Sequence, residues 1–168
     1  MVLSRRAFSR GMAAAALAWT VGLGRAEAAS PAPDFTLRDL RGQTWHLADL
    51  KGYVVVLSFW NNSCAPCKEE MPHLQAVQNE FQSKNLFVLS VNIDDARFTS
   101  VVRDYIGSKG YTFPVLLDTS SAAVVKYKVD KVPPYTLVID RSGNIVWKNA
   151  GYGPGVQAEL RKAILSVL

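Results

Sequence analysis

The sequence predicts an α/β fold with a central mixed sheet, helices on both faces and a β-hairpin at its N-terminal end. Residues 53–60, "YVVVLSFW", form an apolar, β-branched run of strand length. Strand-like and helix-like patterns then alternate along the chain, which is typical of a sheet covered by helices. Two strand-like segments flank residues 141–143 and indicate a closing antiparallel pair.

The individual elements follow from hydrophobic periodicity and turn residues. Residues 35–37 and 44–47 flank "RDLRGQ" as a hairpin, and a helix is predicted from residue 65 to about residue 83. Residues 86–93 form the next strand, and a second helix is marked by the spacing of Phe98, Val101, Val102 and Tyr105. The remaining elements are a strand at 112–118, a short helix at 120–127, strands at 135–140 and 144–149, and a last helix marked by Val156, Leu160, Ile164 and Val167.

The composition indicates one globular domain without a nucleic-acid-binding surface. With 168 residues, 49% of them hydrophobic, the chain can bury a core without disulfide support. The net charge of +5 arises mainly in residues 1–28, which hold four of the 19 basic residues and one of the 14 acidic residues. Elsewhere the charges are interleaved in sign, so we expect no nucleic-acid partner.

Residues 1–28 are predicted to be an export signal peptide. A basic start precedes an alanine-rich apolar run, and the small-residue signal "AEA" at 26–28 marks the cleavage site. Within "SRRAFSR", the paired Arg5 and Arg6 are similar to a twin-arginine signal. We therefore expect the mature domain to be residues 29–168 and to reside in the periplasm.

Cys64 and Cys67 are the only cysteines, and their spacing allows a structural disulfide, a metal site, a haem attachment point or a redox couple. A bridge over so short a loop constrains the unfolded chain little. A closed zinc site needs four ligands, and His46 and His73 are unsuitably spaced to complete one. Haem attachment needs histidine after the second cysteine, where the chain has Lys68. A redox couple without metal or other cofactor remains.

The flanking residues make such a couple chemically sensible. The cysteines follow a strand and begin a helix, and Pro66 suits a first helical turn. Backbone N–H groups and the helix dipole favour a thiolate at that end, which makes Cys64 the attacking sulfur. Cys67 lies one turn further in, more buried, and is placed to resolve a mixed disulfide.

Three motifs together resemble the TlpA/ResA-like branch of the thioredoxin superfamily, which includes the cytochrome c maturation thioredoxins. These are the segment ending in "YVVVLSFW", then "CAPCKEEMP", then "VPPYTLVIDRSGNIV". The resemblance covers nearly the whole mature chain and implies a thioredoxin-like fold. It also implies that Cys64 is the nucleophile, that Cys67 resolves, and that a cis-proline faces the pair.

The resemblance also implies a role for Glu70. Cytoplasmic thioredoxins usually have a buried aspartate where this chain has Ser58, whereas TlpA-like proteins tend to have a glutamate at the position of Glu70. On a helix, Glu70 lies one turn from Cys67. A partly buried carboxyl with a raised pKa could exchange a proton with the resolving thiol. The alternative is a solvated carboxylate like that of Glu69.

The segment "KVPPYT" leaves two positions for the cis-proline. Counting back from the following strand favours Pro134, and counting forward along the loop favours Pro133. If Pro133 precedes the cis-proline, it lacks the N–H that would pair with a bound substrate, and binding should depend more on side chains. Trp60 is a third substrate-site candidate, although it is expected mainly to pack beneath the site. Residues 61–63, "NNS", form an unusually polar entrance.

The leading hypothesis is therefore a periplasmic enzyme, a monomer that reduces protein disulfides. The expected partners are disulfide-containing exported proteins, with apocytochrome c as one candidate, and a membrane thiol–disulfide electron donor. A peroxiredoxin-like peroxidase is an alternative, although its usual motif would need proline and threonine where the chain has Leu57 and Asn61. A copper-binding or chaperone module is another, with His46 and His73 in unsuitable contexts.

Overall fold

The computed structural model describes residues 30–129 and 133–168, so the proposed signal peptide lies outside the described residues. One sheet of eight strands spans this part of the chain. The strands are Ser30–Pro31 (β1), Thr36–Asp39 (β2), Thr44–His46 (β3), Val54–Trp60 (β4), Leu86–Asn92 (β5), Val115–Leu117 (β6), Tyr135–Ile139 (β7) and Asn144–Ala150 (β8). Their spatial order is β1-β8-β7-β4-β5-β6-β2-β3.

The sheet is mixed, and β4 lies in its interior. It pairs parallel with β5 and antiparallel with β7, and all seven of its residues are buried. Alternate side chains point to opposite faces of a strand. Val56 and Trp60 therefore contribute to one hydrophobic core, whereas Leu57 and Phe59 contribute to the other.

In the described residues, four α-helices cover the two faces of the sheet. They are Ala65–Phe81 (α1), Thr99–Lys109 (α2), Ala122–Tyr127 (α3) and Val156–Leu165 (α4). The first core buries residues of α1, α2 and α4 against the sheet, including Met71, Leu74, Val102 and Ile164. The second core contains Ala123 and Tyr127 of α3. The predicted α/β fold, with a mixed sheet and helices on both faces, is confirmed.

The predicted N-terminal hairpin is formed by β2 and β3, and β2 pairs antiparallel with β6 at the edge of the sheet. Its turn depends on the buried Asp39 carboxylate. One oxygen accepts the backbone N–H groups of Arg41 and Gln43, both at 2.9 Å, and the other accepts the Trp45 indole N–H at 3.1 Å. The turn also needs Gly42, whose φ of 86° is strained for other residues.

The predicted second helix is present, but two of the four residues whose spacing marked it do not face the core. Phe98 and Val101 are 41% and 45% exposed, and the buried residues of α2 are Val102 and Ile106. Residues 96–98 form a 3₁₀ turn before α2 begins, so Phe98 is out of phase with the helix. The guanidinium carbon of Arg97 lies over the Phe98 ring, 5.3 Å from its centroid.

Within residues 30–129 and 133–168, no helix is both long enough and apolar enough to cross a membrane.

Candidate active site

Cys64 and Cys67 form a disulfide at the start of α1, with an S–S distance of 2.02 Å. Cys64 is the N-cap of the helix, and its sulfur accepts the Cys67 backbone N–H at 3.2 Å. Cys64 is partly exposed, whereas Cys67 is 1% exposed and packs in the first core. An incoming substrate can therefore reach the first sulfur but not the second.

The peptide bond between Pro133 and Pro134 is cis, in agreement with the register that the sequence favours. The carbonyl oxygen of Pro133 lies 3.3 Å from Cys64 Sγ. A disulfide sulfur carries no hydrogen, so this is a close contact and becomes a hydrogen bond only when Cys64 is a protonated thiol. Pro134 is buried, and its carbonyl accepts the Gly151 N–H at 2.7 Å.

Glu70 is 2% exposed and faces the sheet from α1. The Ser58 hydroxyl lies 2.9 Å from Oε2, and the Thr136 hydroxyl lies 2.8 Å from Oε1. Burial raises the pKa of the Glu70 carboxyl above its usual 4.5, and hydrogen bonds from Thr136 and Ser58 oppose part of that rise. The environment is therefore that of a buried acid, unlike that of the exposed Glu69.

Comparison with known proteins agrees with this geometry. The sequence model of the AhpC/TSA family matches residues 28–148. The chain belongs to the AhpC/TSA family. The thiol-disulfide oxidoreductase ResA of Bacillus subtilis is 36% identical over 117 residues, which cover 70% of this chain and 64% of that protein. The ResA of Halalkalibacterium halodurans is 31% identical over 126 residues, which cover 75% and 70%. These matches confirm the resemblance to ResA-like thiol–disulfide oxidoreductases.

Solved structures show the same fold. A putative thiol:disulfide interchange protein DsbE from Chlorobium tepidum has a TM-score of 0.76 and 29% identity, and the match covers 83% of this chain and 96% of that one. A putative protein disulfide isomerase from Bacteroides thetaiotaomicron has a TM-score of 0.76 and 27% identity, with 83% and 89% covered. The predicted thioredoxin-like fold is therefore confirmed for this AhpC/TSA family member.

Sequence reasoning missed Thr136 and treated Ser58 only as a lost aspartate. Both are 1% exposed and lie in strands that are otherwise apolar. Ser58 pairs with Thr136 across β4 and β7, so their side chains point to the same face, toward α1. Each strand has a single Ser or Thr among apolar residues, and this pattern could have indicated a buried polar contact.

Trp60 lies at the end of β4 and is buried in the core. The indole is 1% exposed and belongs to the same core as Cys67 and Met71. Its N–H has no hydrogen-bond partner among the described residues. Any contribution of Trp60 to substrate binding would therefore be indirect, and that role stays a prediction.

The polar entrance is fixed to the end of β5. The Asn62 N–H donates to an Asp94 carboxylate oxygen at 2.7 Å, and the Asn92 side-chain amide donates to the same oxygen at 2.8 Å. The Ser63 hydroxyl donates to the Asn61 side-chain oxygen at 2.9 Å. Side chains of this loop thus present amide and hydroxyl groups beside the partly exposed Cys64.

The two histidines contact side chains other than the cysteines. His46 Nδ1 pairs with the Thr36 hydroxyl at 2.9 Å. The His73 ring stacks on Tyr152 with centroids 5.9 Å apart, and Gln157 contacts both of these side chains. In the described part of the chain, no group of three or more His, Cys, Asp or Glu side chains could hold a metal ion.

A groove of about 450 Å³ lies between Glu69 and residues 152–158 of the segment that leads into α4. A cavity of about 350 Å³ lies at the other end of the sheet, near Val55 and Ile139. The disulfide follows the opposite end of β4, so only the first of these two spaces borders α1 near its cysteines.

Replacing Glu70 with glutamine tests the buried acid. Because the pKa of Glu70 is raised in the folded protein, the carboxyl keeps its proton at pH values where the unfolded chain has lost it. Its contribution to stability is therefore fully present below the unfolded pKa and is lost as pH rises through the folded pKa. We expect the unfolding free energy of the wild type to fall relative to E70Q as pH rises from about 4.5. Urea unfolding of the oxidised proteins measures this difference.

The matched control is Glu69→Gln, which removes an exposed carboxyl from the same helical turn. The difference in unfolding free energy between the wild type and E69Q should not change in that way as pH rises. A constant difference between wild type and E70Q across the pH range would contradict a raised pKa for Glu70.

Proposed function

We propose that this protein is an exported thiol–disulfide oxidoreductase that reduces disulfides in other exported proteins. The observation that carries the proposal is the unequal accessibility of one disulfide at a helix N-terminus. Cys64 is partly exposed and caps α1, whereas Cys67 is buried. This asymmetry suits a nucleophile and a resolving thiol. The chain spans 64% and 70% of the two ResA relatives, so its activity is proposed here on its own geometry.

The first half of the reaction begins with the reduced pair. The Cys64 thiolate attacks one sulfur of the substrate disulfide, a Cys64–substrate bond forms, and the substrate S–S bond breaks. The first substrate sulfur leaves as a thiolate and takes a proton from water. The Cys67 N–H, which points at Cys64 Sγ, stabilises the thiolate before it attacks.

The second half returns the protein to its disulfide form. Cys67 gives its proton to the Glu70 carboxylate one turn along α1 and then attacks Cys64 Sγ. The Cys64–Cys67 bond forms, and the second substrate sulfur leaves as a thiolate. Two electrons have then passed from the protein to the substrate, and the oxidised pair needs a thiol donor at the membrane to reduce it again.

The substrate-binding surface proposed for this reaction surrounds Cys64. Pro133 has no N–H, so its backbone offers a substrate only its carbonyl oxygen, which already lies beside Cys64 Sγ. Binding would therefore depend on side chains, including the polar groups at 61–63. The groove beside Glu69 supports this proposal because it offers space next to α1. Apocytochrome c remains one candidate among disulfide-containing exported clients.

Single-cysteine variants test the division of labour. Cys67→Ser retains the accessible thiol and should form a stable mixed disulfide with a small aromatic disulfide such as dithionitrobenzoate. Cys64→Ser retains only the buried thiol and should react at least about tenfold more slowly, because access limits exchange. The absorbance of released thionitrobenzoate gives the rate, and mass spectrometry identifies the adduct.

Equal rates for the two variants in the folded state would contradict these roles, and the variant that lacks both cysteines provides the blank.

The peroxidase alternative is tested with the same preparation of the wild-type protein. Consumption of hydrogen peroxide by the wild type with dithiothreitol as donor, at a rate matching disulfide exchange, would favour that alternative.

The direction of the reaction is tested by equilibrating the protein with glutathione redox buffers. A reductase should have a potential closer to that of thioredoxin, about −270 mV, than to that of the oxidant DsbA, about −120 mV. Trp60 belongs to the same core as Cys67, so its fluorescence can report the redox state, calibrated against alkylation and mass spectrometry. A potential near the oxidant value would reverse the proposed direction.

We also propose that residues 1–28 direct export by the twin-arginine route. The AhpC/TSA match begins at residue 28, which supports a leader outside the domain. Replacing Arg5 and Arg6 together with lysine should prevent export while leaving the redox activity of the purified domain unchanged. Cell fractionation measures export, and intact mass tests cleavage after Ala28. Export of the double variant at the wild-type level would contradict the route.

A further inference from the structure

Three buried side chains form a closed polar cluster beneath the active site. Ser58, Glu70 and Thr136 are each no more than 2% exposed. The Ser58 hydroxyl lies 2.9 Å from Glu70 Oε2, and the Thr136 hydroxyl lies 2.8 Å from Oε1. The two hydroxyl oxygens are themselves 3.1 Å apart. The two contacts with the carboxyl lie within the usual range for O–H···O hydrogen bonds, and the contact between the hydroxyls lies at its long end, so the cluster has three contacts among three groups.

The number of protons decides which of these contacts are hydrogen bonds. Each hydroxyl carries one proton, and an ionised carboxylate carries none. With Glu70 ionised, both hydroxyls donate to it, and no proton remains for the contact between Ser58 and Thr136. With Glu70 protonated, three protons serve three contacts. The carboxylic acid then donates to one hydroxyl, that hydroxyl donates to the other, and the second donates back to the carboxyl.

We propose that Ser58 and Thr136 are positioning residues that hold the protonated form of Glu70 in a closed ring of three hydrogen bonds. This inference rests on the proposed function for its purpose, since the ring would keep the proton taken from Cys67 inside the fold after the second half of the reaction, until the disulfide is reduced again. The disulfide form follows that proton transfer, and it is the form in which the three contacts are observed.

The surroundings of the ring are mostly neutral. On β4 and β7, the side chains that share its face include Val56, Trp60 and Val138, all in the first core. Cys67 precedes Glu70 on α1, and Glu69 is exposed on the same helix. Tyr152 is a further titratable group: burial raises its pKa, the hydrogen bond with Gln157 opposes part of that rise, and the charges of Glu70 and Glu69 add to it. The imidazole ring of His73, also titratable, stacks on Tyr152. These groups are the ones that must be considered when the ring is titrated.

The ring makes a specific prediction about coupling between the two hydroxyls. The Ser58–Thr136 hydrogen bond exists only while Glu70 is protonated. A double-mutant cycle with Ser58→Ala and Thr136→Val, measured by urea unfolding of the oxidised protein, should therefore show coupling below the titration of Glu70. The coupling should correspond to about a fivefold effect on the unfolding equilibrium, the contribution of one hydrogen bond. Above that titration the coupling should fall, and what remains is the part that the two hydroxyls share through the Glu70 carboxylate.

Two controls separate this ring from ordinary packing. Ser90 pairs with Ser58 in the neighbouring strand, but its buried hydroxyl has no partner among the described residues. A cycle that combines Ser90→Ala with Thr136→Val should be additive at every pH. In an E70Q background, the glutamine amide retains a donor and an acceptor. The Ser58–Thr136 coupling should then persist at every pH, with no titration.

Coupling that is independent of pH in the wild-type background, or absent throughout, would overturn the ring. If the double variant does not fold, infrared spectroscopy of the wild type keeps the test open. Subtraction of the E70Q spectrum isolates the Glu70 carbonyl band, and the ring requires the lowered frequency of a hydrogen-bonded acid. A band typical of a free acid would overturn it. These measurements need no substrate, so failure of the proposed activity would be seen separately in the cysteine-variant assay.

Discussion

The site depends on the pairing of β4 along both of its edges. Because β4 is bonded to β5 on one side and to β7 on the other, its position in the sheet is fixed at every residue. Four residues connect the end of this strand to the start of α1, and Cys64 is the last of them, so its position depends on that of the strand. Phe59 pairs with Tyr135, the residue after Pro134, which brings the Pro133 carbonyl to the same end of the sheet.

A polar cluster lies where α1 packs on β4 and β7. A contribution to stability does not by itself explain why this cluster is present. Burying an unpaired carboxyl or hydroxyl group costs several kcal/mol, so each polar atom there needs a partner. Ser58, Glu70 and Thr136 supply partners for one another. Well-packed apolar side chains could fill such a volume with equal or greater stability. In the proposed mechanism, a protonatable group one helical turn from Cys67 offers what an apolar core cannot, namely a place for the proton that the resolving thiol must release.

Much of the fold was predictable because its patterns are local. The apolar run at 53–60 and the helix that follows it depend on residues adjacent in sequence, and both lie where they were predicted. The second helix was also predicted, but Phe98, one of the residues that marked it, is exposed because it lies in a 3₁₀ turn that precedes α2. These elements were predicted from hydrophobic periodicity, which does not reveal a change from 3₁₀-helix to α-helix.

The contacts of Glu70 could not be predicted in the same way, although its position could. Ser58 and Thr136 lie 12 and 66 residues away from it, and their approach depends on the register of β4 against β7. The cis bond at Pro134 was predicted because the following strand defined the count. The local motif therefore reveals the candidate cysteines and Glu70. The side chains that influence the protonation of Glu70 depend instead on the long-range register of the strands.

Two contacts act on Cys64 in opposite directions, and their balance bears on the direction of the reaction. The Cys67 N–H favours a thiolate on Cys64, whereas the Pro133 carbonyl oxygen at 3.3 Å repels negative charge and favours a protonated thiol. A strong oxidant needs its reduced form stabilised, largely through the thiolate. The Pro133 carbonyl works against that stabilisation. Because the pair then gives up its electrons more readily than a strongly stabilised thiolate would, this contact supports a reductant in preference to an oxidant.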